Sequence, residues 1–301
     1  MGLILESPCK VNLLLNVLGR RADGFHELET VMHPVAWCDT LEFEPCRAGI
    51  ALVCSDPDLA VDGTNLVHRA ATRFFAAAGL NAGVRIRLTK RIPLEAGLGG
   101  GSGNAATTLL GLNRLFGDPL GEARLTSLAA ELGSDVPFFL GRGPAVATGR
   151  GERVQRLPAL SALDGVWVVL IHPGFGIPTA WAYQSLARFP QALAGVPGRA
   201  ARLVERLRSG TLEAAAGDFY NALEAPALAK YPILGMYQEF LRREGALATL
   251  MSGSGSTTFA LVRERAAAER LRARFTAEFG PSAWTAVTTL TLLGAGVFPL
   301  A

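Results

Sequence analysis

The first half of the chain alternates strand patterns with helix patterns. Apolar residues occupy every second position from Val11 to Val17, which predicts a strand near the N-terminus. Further strands are predicted at 41–44, 50–54 and 84–88. Apolar residues at helical spacing begin at Leu66 and stop before Gly79. They predict a helix that ends at a glycine C-cap.

The second half begins with a stretch, Pro158 to Asp164, that we interpret as a boundary. Beyond it the patterns predict a strand at 166–171, helices from about 179 to 244, strands at 248–251 and 257–262, a helix at 264–275 and a last strand at 286–291. That order resembles a split βαβ, ferredoxin-like sheet with inserted helices. We therefore predict an α+β chain with two domains, 1–157 and 158–301.

Composition and charge narrow the class of protein. Half of the 301 residues are apolar and 18% are charged, which is typical of a globular protein. The net charge of +3 is too small to favour a nucleic-acid or anionic membrane partner, so we expect neither. The longest clean apolar run, Val166 to Ile171, is far shorter than a membrane span. No signal-peptide pattern opens the chain and no C-x-x-C pair occurs, so we expect reduced thiols and a cytoplasmic protein.

Lysine is scarce in this sequence. Only three of the 29 basic residues are lysines, namely Lys10, Lys90 and Lys230. Lysine is a compact charge on a flexible stem, whereas arginine is a delocalised fork. In a chain so biased toward arginine, a lysine that is kept is a candidate for a chemical role that arginine cannot fill.

The strongest local signal is a glycine-rich loop. Five glycines fall within the seven residues Gly97–Gly103, after a predicted strand and at the start of a helix predicted to run to about Phe116. Glycines let the backbone approach a ligand closely, and a helix start offers free N–H groups with partial positive charge. These features together suit phosphate binding. A purely structural turn would not need five glycines.

Three known phosphate-binding loops compete for this segment. A Walker A loop requires a lysine after the glycines, and none follows here. A Rossmann loop requires an acidic residue on a second strand about 20 residues on, whereas Glu122 opens a predicted helix. The third pattern, Pro-x-x-x-Gly-Leu-Gly-x-(Gly/Ser)-Ser-x-x-Ala, matches from Pro93 at every fixed position.

That third pattern belongs to the galactokinase–homoserine kinase–mevalonate kinase–phosphomevalonate kinase (GHMP) superfamily, which two other segments also resemble. Ser-Pro-Cys-Lys-Val-Asn-Leu at 7–13 is similar to the family's N-terminal strand, and the Ser/Gly-rich segment 251–260 is similar to its third motif. Gly-Arg-Arg-Ala-Asp-Gly-Phe-His-Glu-Leu at 19–28 and Gly-Ser-Asp-Val-Pro-Phe-Phe at 133–139 resemble the members that act on CDP-linked methylerythritol. Phe25 stands where those members usually have tyrosine.

The resemblance implies a fold and a reaction. The fold would be the two-domain GHMP kinase fold, with an N-terminal ribosomal-protein-S5-like α/β domain, a C-terminal ferredoxin-like α+β domain and the active site in the cleft between them. ATP, with Mg²⁺, would phosphorylate the 2-hydroxyl of the CDP-linked methylerythritol in isoprenoid precursor synthesis. We expect this small molecule as the partner, and a monomer or homodimer.

The resemblance also assigns roles to residues. Asp135 would be the general base, and Lys10 would keep it ionised and stabilise the transferring phosphoryl group. The residues predicted to bind ATP are Asn65, Leu66, Lys90, Pro93, Gly97, Leu98, Gly99, Gly100, Gly101, Ser102, Gly103 and Asn104. The residues predicted to bind the acceptor are Asn12, Phe25, His26, Thr179 and Tyr183. The Ser102 hydroxyl is the candidate Mg²⁺ ligand.

Several of these assignments have a plainer alternative. Asp135 would otherwise be a turn or N-cap residue before Pro137, Lys10 a solvated strand lysine and Leu66 a helix-core residue. Glu95, unusual beside a triphosphate, is expected to point to solvent.

Two other functions also remain open. One is a GHMP kinase for another hydroxyl substrate, of the homoserine or mevalonate type. The other is a non-catalytic GHMP-fold regulator that binds nucleotide and sugar, against which the presence of both Lys10 and Asp135 argues.

Overall fold

The structure, a computed structural model, describes residues 2–290 and 298–299. The strands are β1 (Leu3–Arg20), β2 (His26–Cys46), β3 (Gly49–Cys54), β4 (Gly83–Thr89), β5 (Ala145–Gly149), β6 (Arg153–Arg156), β7 (Trp167–His172), β8 (Tyr220–Asn221), β9 (Ala248–Met251), β10 (Thr258–Val262), β11 (Trp284–Thr289) and β12 (Phe298–Pro299). The α-helices are α1 (Leu66–Ala78), α2 (Gly100–Leu115), α3 (Glu122–Leu132), α4 (Thr179–Ser185), α5 (Pro190–Leu193), α6 (Arg199–Ser209), α7 (Leu212–Ala215), α8 (Glu224–Lys230), α9 (Pro232–Arg243) and α10 (Arg265–Phe279). Short 3-10 helices lie at Val136–Leu140, Ser161–Leu163, Leu186–Arg188 and Ala216–Asp218.

The first sheet is built on the long antiparallel pair β1–β2. Its strand order is β12-β1-β2-β4-β3, with β5 and β6 continuing from β2 and β8 running parallel to β1. The β1–β2 hairpin closes after the Arg20–His26 pair, where the Asp23 carboxylate accepts a hydrogen bond from the Phe25 N–H at 3.1 Å. The predicted strands at 11–17 and 41–44 are therefore confirmed as parts of much longer strands.

Helices α1, α2 and α3 cover one face of this sheet. Phe43 of β2 and Phe74 of α1 are fully buried in the core between them. Helix α1 ends as predicted, because Gly79 takes the left-handed conformation (φ 64°) and its N–H bonds to the Phe75 carbonyl. A Cβ on Gly111 of α2 would lie 2.7 Å from the Phe43 ring, so glycine is what allows α2 to approach the sheet this closely.

The second sheet has the antiparallel order β11-β7-β10-β9. With helices joining β7 to β9 and α10 joining β10 to β11, this is the split βαβ arrangement that the sequence predicts. Strands β7, β9 and β10 are almost wholly buried because both faces of the sheet are covered. The sequence pattern places the last strand at 286–291, whereas β11 runs from Trp284 to Thr289; Thr291 lies outside the described residues.

The two halves of the chain are interlocked. Strands β8 and β12, both from the second half, pair with β1 in the first sheet. One core cluster contains Val11 and Leu13 of β1 together with Val168 and Leu170 of β7. The division of the chain at residue 157 stays a prediction.

Among the described helices, none is long and apolar enough to span a lipid bilayer.

Candidate active site

A cleft of about 820 Å³ lies between the glycine-rich loop and the connections of the second sheet. Its walls come from the middle of β1, the loop before α2, the β7–α4 connection and the loop between β9 and β10. The predicted site residues that line it are Lys10, Asn12, Asn65, Leu66, Lys90, Pro93, Gly97, Leu98, Gly99, Gly100, Gly101, Ser102, Asn104, Asp135, Thr179 and Tyr183. Phe25, His26 and Gly103 lie outside this lining. The fold thus gathers most of the predicted residues, from stretches far apart in sequence, around one cavity.

The glycine-rich loop is pressed against the loop between β9 and β10. Gly97 has a φ of 74°, and a Cβ there would lie only 2.1 Å from the Ser252 carbonyl oxygen. The Ser252 hydroxyl donates to the Gly97 carbonyl at 2.9 Å, and the Thr257 N–H donates to the Ala96 carbonyl at 3.2 Å. Glycine at position 97 is required by both the positive φ and this close approach.

The start of helix α2 presents free backbone N–H groups at the cleft. Gly99 is the N-cap in a left-handed conformation (φ 71°) and provides no side-chain cap. The first backbone hydrogen bond of the helix runs from the Gly103 N–H to the Gly99 carbonyl at 2.8 Å. The N–H groups of Gly100, Gly101 and Ser102 therefore have no partner inside the helix and are available to a phosphate.

Lys10 and Asp135 meet beside this helix start. The Lys10 ammonium lies 3.8 Å from the Asp135 carboxylate; the lysine side chain is 3% exposed and the aspartate side chain 41%. Burial lowers the pKa of Lys10, and the charge of Asp135 partly opposes that effect. Asp135 sits at the N-cap position of a 3-10 helix, but its side chain makes no capping hydrogen bond. The carboxylate is thus left free to act on a ligand, and Lys10 is not a solvated strand residue.

Hydrogen bonds on β1 and β2 fix the direction of the Lys10 side chain. Its ammonium donates to the Asn12 side-chain oxygen at 2.5 Å and to the Gly97 carbonyl at 2.9 Å. The Asn12 amide nitrogen donates to the Thr30 hydroxyl at 2.8 Å, which in turn donates to the Leu14 carbonyl at 2.5 Å. Asn12 therefore presents its oxygen to Lys10, and Thr30 sets that orientation.

Aromatic side chains gather at one end of the cleft. The rings of His26 and Tyr183 stack, with centroids 5.1 Å apart and planes 27° apart. Phe25 is 53% exposed, and the Arg150 guanidinium lies 4.7 Å from its ring centroid. Partial burial and the nearby Arg20 charge lower the pKa of His26, so its imidazole is neutral at neutral pH. Burial and the charge of Asp135 raise the pKa of Tyr183.

The start of α1 forms another part of the cleft wall. Asn65 is the N-cap of this helix: its side-chain oxygen accepts from the Val67 N–H at 2.8 Å, and its nitrogen donates to the Ala60 carbonyl at 2.6 Å. Leu66 is half-buried, and its methyl group lies 3.5 Å from where a Cβ of Gly101 would be. Asn65 therefore shapes the loop before α1 as well as lining the cleft.

Two predicted ATP-binding residues belong to a buried network. Lys90 pairs with Asp39, and the Asn104 side chain donates to the same carboxylate at 2.9 Å.

Gly103 faces away from the cleft, because a Cβ there would meet the Pro8 carbonyl at 2.7 Å. Its small size serves the packing of α2 against β1.

Thr179 and Glu95 also line the cleft. The Thr179 hydroxyl, at the start of α4, is 3.0 Å from that of Ser254. Glu95 is exposed with a φ of 51°, but it lines the cleft, and its carboxylate lies 2.8 Å from where a Cβ of Gly176 would be, so the expected direction to solvent does not describe it fully. Within the described residues, no cluster of three His, Cys, Asp or Glu side chains is arranged to hold a metal ion. The Ser102 hydroxyl and the Asp135 carboxylate line the cleft and fit Mg²⁺ that arrives with a nucleotide, since such a metal takes most of its ligands from phosphates and water.

Sequence reasoning missed several residues of the site. Asp39, Thr30 and Arg150 carry no motif signal, because each acts through partners on other strands or loops. The buried Asn221 also escaped it; its side chain donates to the Met251 and Gly253 carbonyls at 2.7 and 2.8 Å and holds the loop between β9 and β10. The scarcity of lysine pointed to Asp39 only indirectly, because it singled out Lys90, whose ammonium pairs with Asp39.

Two family models match separate parts of the chain, and known proteins resemble it over most of its length. The model for the GHMP kinases N terminal domain matches residues 65–143, and that for the GHMP kinases C terminal domain matches residues 200–281. The 4-diphosphocytidyl-2-C-methyl-D-erythritol kinase of Pelotomaculum thermopropionicum is 43% identical, with 88% of this chain and 91% of that protein covered. The protein of the same name from Geobacter sulfurreducens is 40% identical over 90% of this chain and 95% of its own length.

Solved structures of two kinases share the fold of this chain. A crystal structure of 4-(cytidine 5'-diphospho)-2C-methyl-D-erythritol kinase superposes with a TM-score of 0.75 at 37% identity, covering 95% of this chain and 99% of that one. A homoserine kinase from Cytophaga hutchinsonii superposes with a TM-score of 0.74 at 19% identity, covering 99% and 97%. At that lower identity the likeness shows a shared fold alone. The predicted α+β, two-domain GHMP fold is confirmed.

Proposed function

Because the chain belongs to the 4-diphosphocytidyl-2-C-methyl-D-erythritol kinase family of the GHMP kinases, we propose that it transfers the γ-phosphoryl group of ATP to the 2-hydroxyl of that CDP-linked methylerythritol. The products are ADP and the 2-phosphate, and the reaction belongs to the non-mevalonate route to isoprenoid precursors.

One observation carries the proposal. The Lys10–Asp135 pair, 3.8 Å apart, shares a cleft with the free N–H groups at the start of α2, and Lys10 is hydrogen-bonded to the loop itself through the Gly97 carbonyl. A phosphoryl acceptor beside Asp135 therefore lies next to the place where a triphosphate would end. Phosphoryl transfer depends mainly on this kind of positioning and charge stabilisation.

Each group has a distinct task in this account. The acceptor oxygen attacks the γ-phosphorus while the bond to the bridging oxygen of ADP breaks, and Asp135 accepts the hydroxyl proton. Lys10 stabilises charge on the transferring group. The N–H groups of Gly100, Gly101 and Ser102 hold the phosphates. Mg²⁺, when bound with ATP, neutralises phosphate charge, and Ser102 is its proposed protein ligand.

The aromatic end of the cleft supports a cytidine acceptor. A neutral His26 offers one donor and one acceptor to the edge of a cytosine, and Phe25 and Tyr183 offer ring faces. Arg150 lies beside Phe25 and lines the cleft, so its cation suits the diphosphate that joins the cytidine to the polyol. Asn12 is hydrogen-bonded to Lys10 and Thr179 lines the same cleft, so both suit the polyol hydroxyls.

The test is ADP release by the purified protein with Mg-ATP and the CDP-linked methylerythritol. We expect Asp135→Asn to lower kcat by at least 100-fold, a typical contribution of general base catalysis, while nucleotide affinity is kept. Asp164→Asn is the matched control, because Asp164 is exposed and lies outside the cleft lining; it should turn over like the parent.

Three results would contradict the proposal. An Asp135→Asn variant with parental kcat would remove that residue from catalysis. Turnover of homoserine or mevalonate in place of the cytidine compound would assign the chain to another GHMP substrate. Nucleotide binding without turnover of any acceptor would indicate a regulator.

A further inference from the structure

A buried carboxylate with no part in the proposed chemistry lies beneath the glycine-rich loop. Asp39 of β2 is 0% exposed. One of its oxygens accepts from the backbone N–H groups of Arg91 and Ile92, at 2.7 and 2.9 Å. The other accepts from the Asn104 side chain at 2.9 Å and pairs with the Lys90 ammonium.

These partners lie on both sides of the phosphate-binding loop in sequence. Residues 90–92 lead into the loop, and Asn104 is in the second turn of α2, directly after it. One carboxylate thus ties together the two ends of a segment whose glycines at 97 and 99 have positive φ. Without such anchors a glycine-rich segment would have large conformational freedom to lose when it binds a ligand.

Lys90 is part of the anchor. Its side chain is 5% exposed, and its ammonium also donates to the Asn104 side-chain oxygen at 3.2 Å. A Cβ on Gly100 would lie 3.4 Å from this ammonium, which places the charge directly below the start of α2. Because Asp39 compensates that charge, the start of α2 attracts phosphate through its free N–H groups rather than through the Lys90 charge.

We propose that Asp39 is a positioning residue: it holds Lys90 and Asn104 so that the start of α2 is already shaped for a triphosphate before nucleotide binds. This deepens the proposed function and rests on it in one respect, namely that the loop binds the phosphates of ATP. A merely structural ion pair would lower the stability of the protein and leave the nucleotide affinity of the folded protein unchanged.

The first measurement is nucleotide binding, by isothermal titration calorimetry with Mg²⁺ and a non-hydrolysable ATP analogue. We expect Asp39→Asn to raise the Kd at least tenfold and to raise the KM for ATP similarly, with the KM for the cytidine acceptor within twofold of the parent. The control is Asp218→Asn, another nearly buried carboxylate, which pairs with Arg202 and Arg206 at 3.0 and 2.9 Å far from the loop in sequence. Its Kd for the nucleotide should stay within twofold of the parent.

Two further variants keep the test decisive if Asp39→Asn fails to fold. Ser7→Ala removes a buried hydroxyl that accepts from Asn104 at 3.0 Å without lining the cleft, and we expect a Kd raised about fivefold. The double variant Asp39→Asn/Lys90→Met removes both charges of the pair, and we expect it to bind nucleotide at least as tightly as Lys90→Met alone.

Two results would overturn the proposal. The first is nucleotide binding within twofold of the parent in Asp39→Asn or, if that variant does not fold, in Ser7→Ala. The second is a double-variant loss greater than that of Lys90→Met, which would show that Asp39 contributes to nucleotide binding independently of Lys90. Binding is read without any acceptor. A parent protein that binds nucleotide but phosphorylates no cytidine compound would therefore refute the proposed function alone.

Discussion

Replacing Gly97 by alanine tests whether the glycine-rich loop requires its close contact with the loop between β9 and β10. Gly97 has a φ of 74°, a conformation that costs an alanine about 1 kcal/mol or more. A Cβ there would lie 2.1 Å from the Ser252 carbonyl oxygen and 2.9 Å from that of Gly255. Both neighbours are backbone atoms, so the two loops would have to separate.

That separation would break specific hydrogen bonds. The Gly97 carbonyl accepts from the Ser252 hydroxyl and from the Lys10 ammonium, both at 2.9 Å. At about 1 kcal/mol for each bond, together with the strained φ, we expect the free energy of unfolding to fall by about 3 kcal/mol. Because the same carbonyl holds Lys10, we also expect kcat to fall at least tenfold.

The assay is urea unfolding followed by circular dichroism, with Gly101→Ala as the matched variant. A Cβ on Gly101 would meet only a Leu66 methyl carbon, at an ordinary 3.5 Å, and Gly101 lies inside helix α2 without a positive φ. That variant should unfold at the same urea concentration as the parent or a higher one. Equal stability of the Gly97→Ala and Gly101→Ala variants would refute the reasoning.

Two pH-dependent predictions follow from the histidines. Because the pKa of His26 lies below its usual 6.5, we expect the KM for the cytidine acceptor to be constant above pH 6.5 and to rise only at lower pH. His26→Gln keeps a donor and an acceptor and should abolish that rise; an unchanged profile would contradict the role. Burial lowers the pKa of His33 to about 4 from 6.5, so the unfolded chain takes up a proton first as the pH falls. The free energy of unfolding should therefore drop by about 3 kcal/mol between pH 6.5 and 4, as measured in urea, and the drop should be absent in His33→Gln. The same drop in His33→Gln would assign it to other groups.

Local patterns predicted the regular elements well. The strand at 248–251 has the predicted bounds, and helix α1 ends at Gly79 as expected, because apolar spacing and a glycine C-cap are both local signals. The first part of β2 was not predicted. There Glu29 and Thr30 are polar yet buried, since Glu29 accepts from the Ala200 N–H of α6, and no local pattern reports a partner so distant.

The same limit applies to the site. The resemblance led to Lys10, Asp135 and the loop glycines, and the structure places them in one cleft. Lysine scarcity pointed to two buried lysines of this region, whereas the third, Lys230, is exposed above the Trp181 ring. Asp39 stayed hidden, because an aspartate within a strand has no sequence signature until its partner 51 residues away is known.

The central claim, that Lys10 and Asp135 act together on the transferring phosphoryl group, is tested most directly by a double-mutant cycle on kcat. The variants are Lys10→Met, Asp135→Asn and the double variant, assayed with saturating Mg-ATP and cytidine acceptor. Residues that act as a unit give losses that do not multiply. We predict a double variant about as slow as the slower single variant; losses that multiply, or a parental kcat in Lys10→Met, would contradict the account.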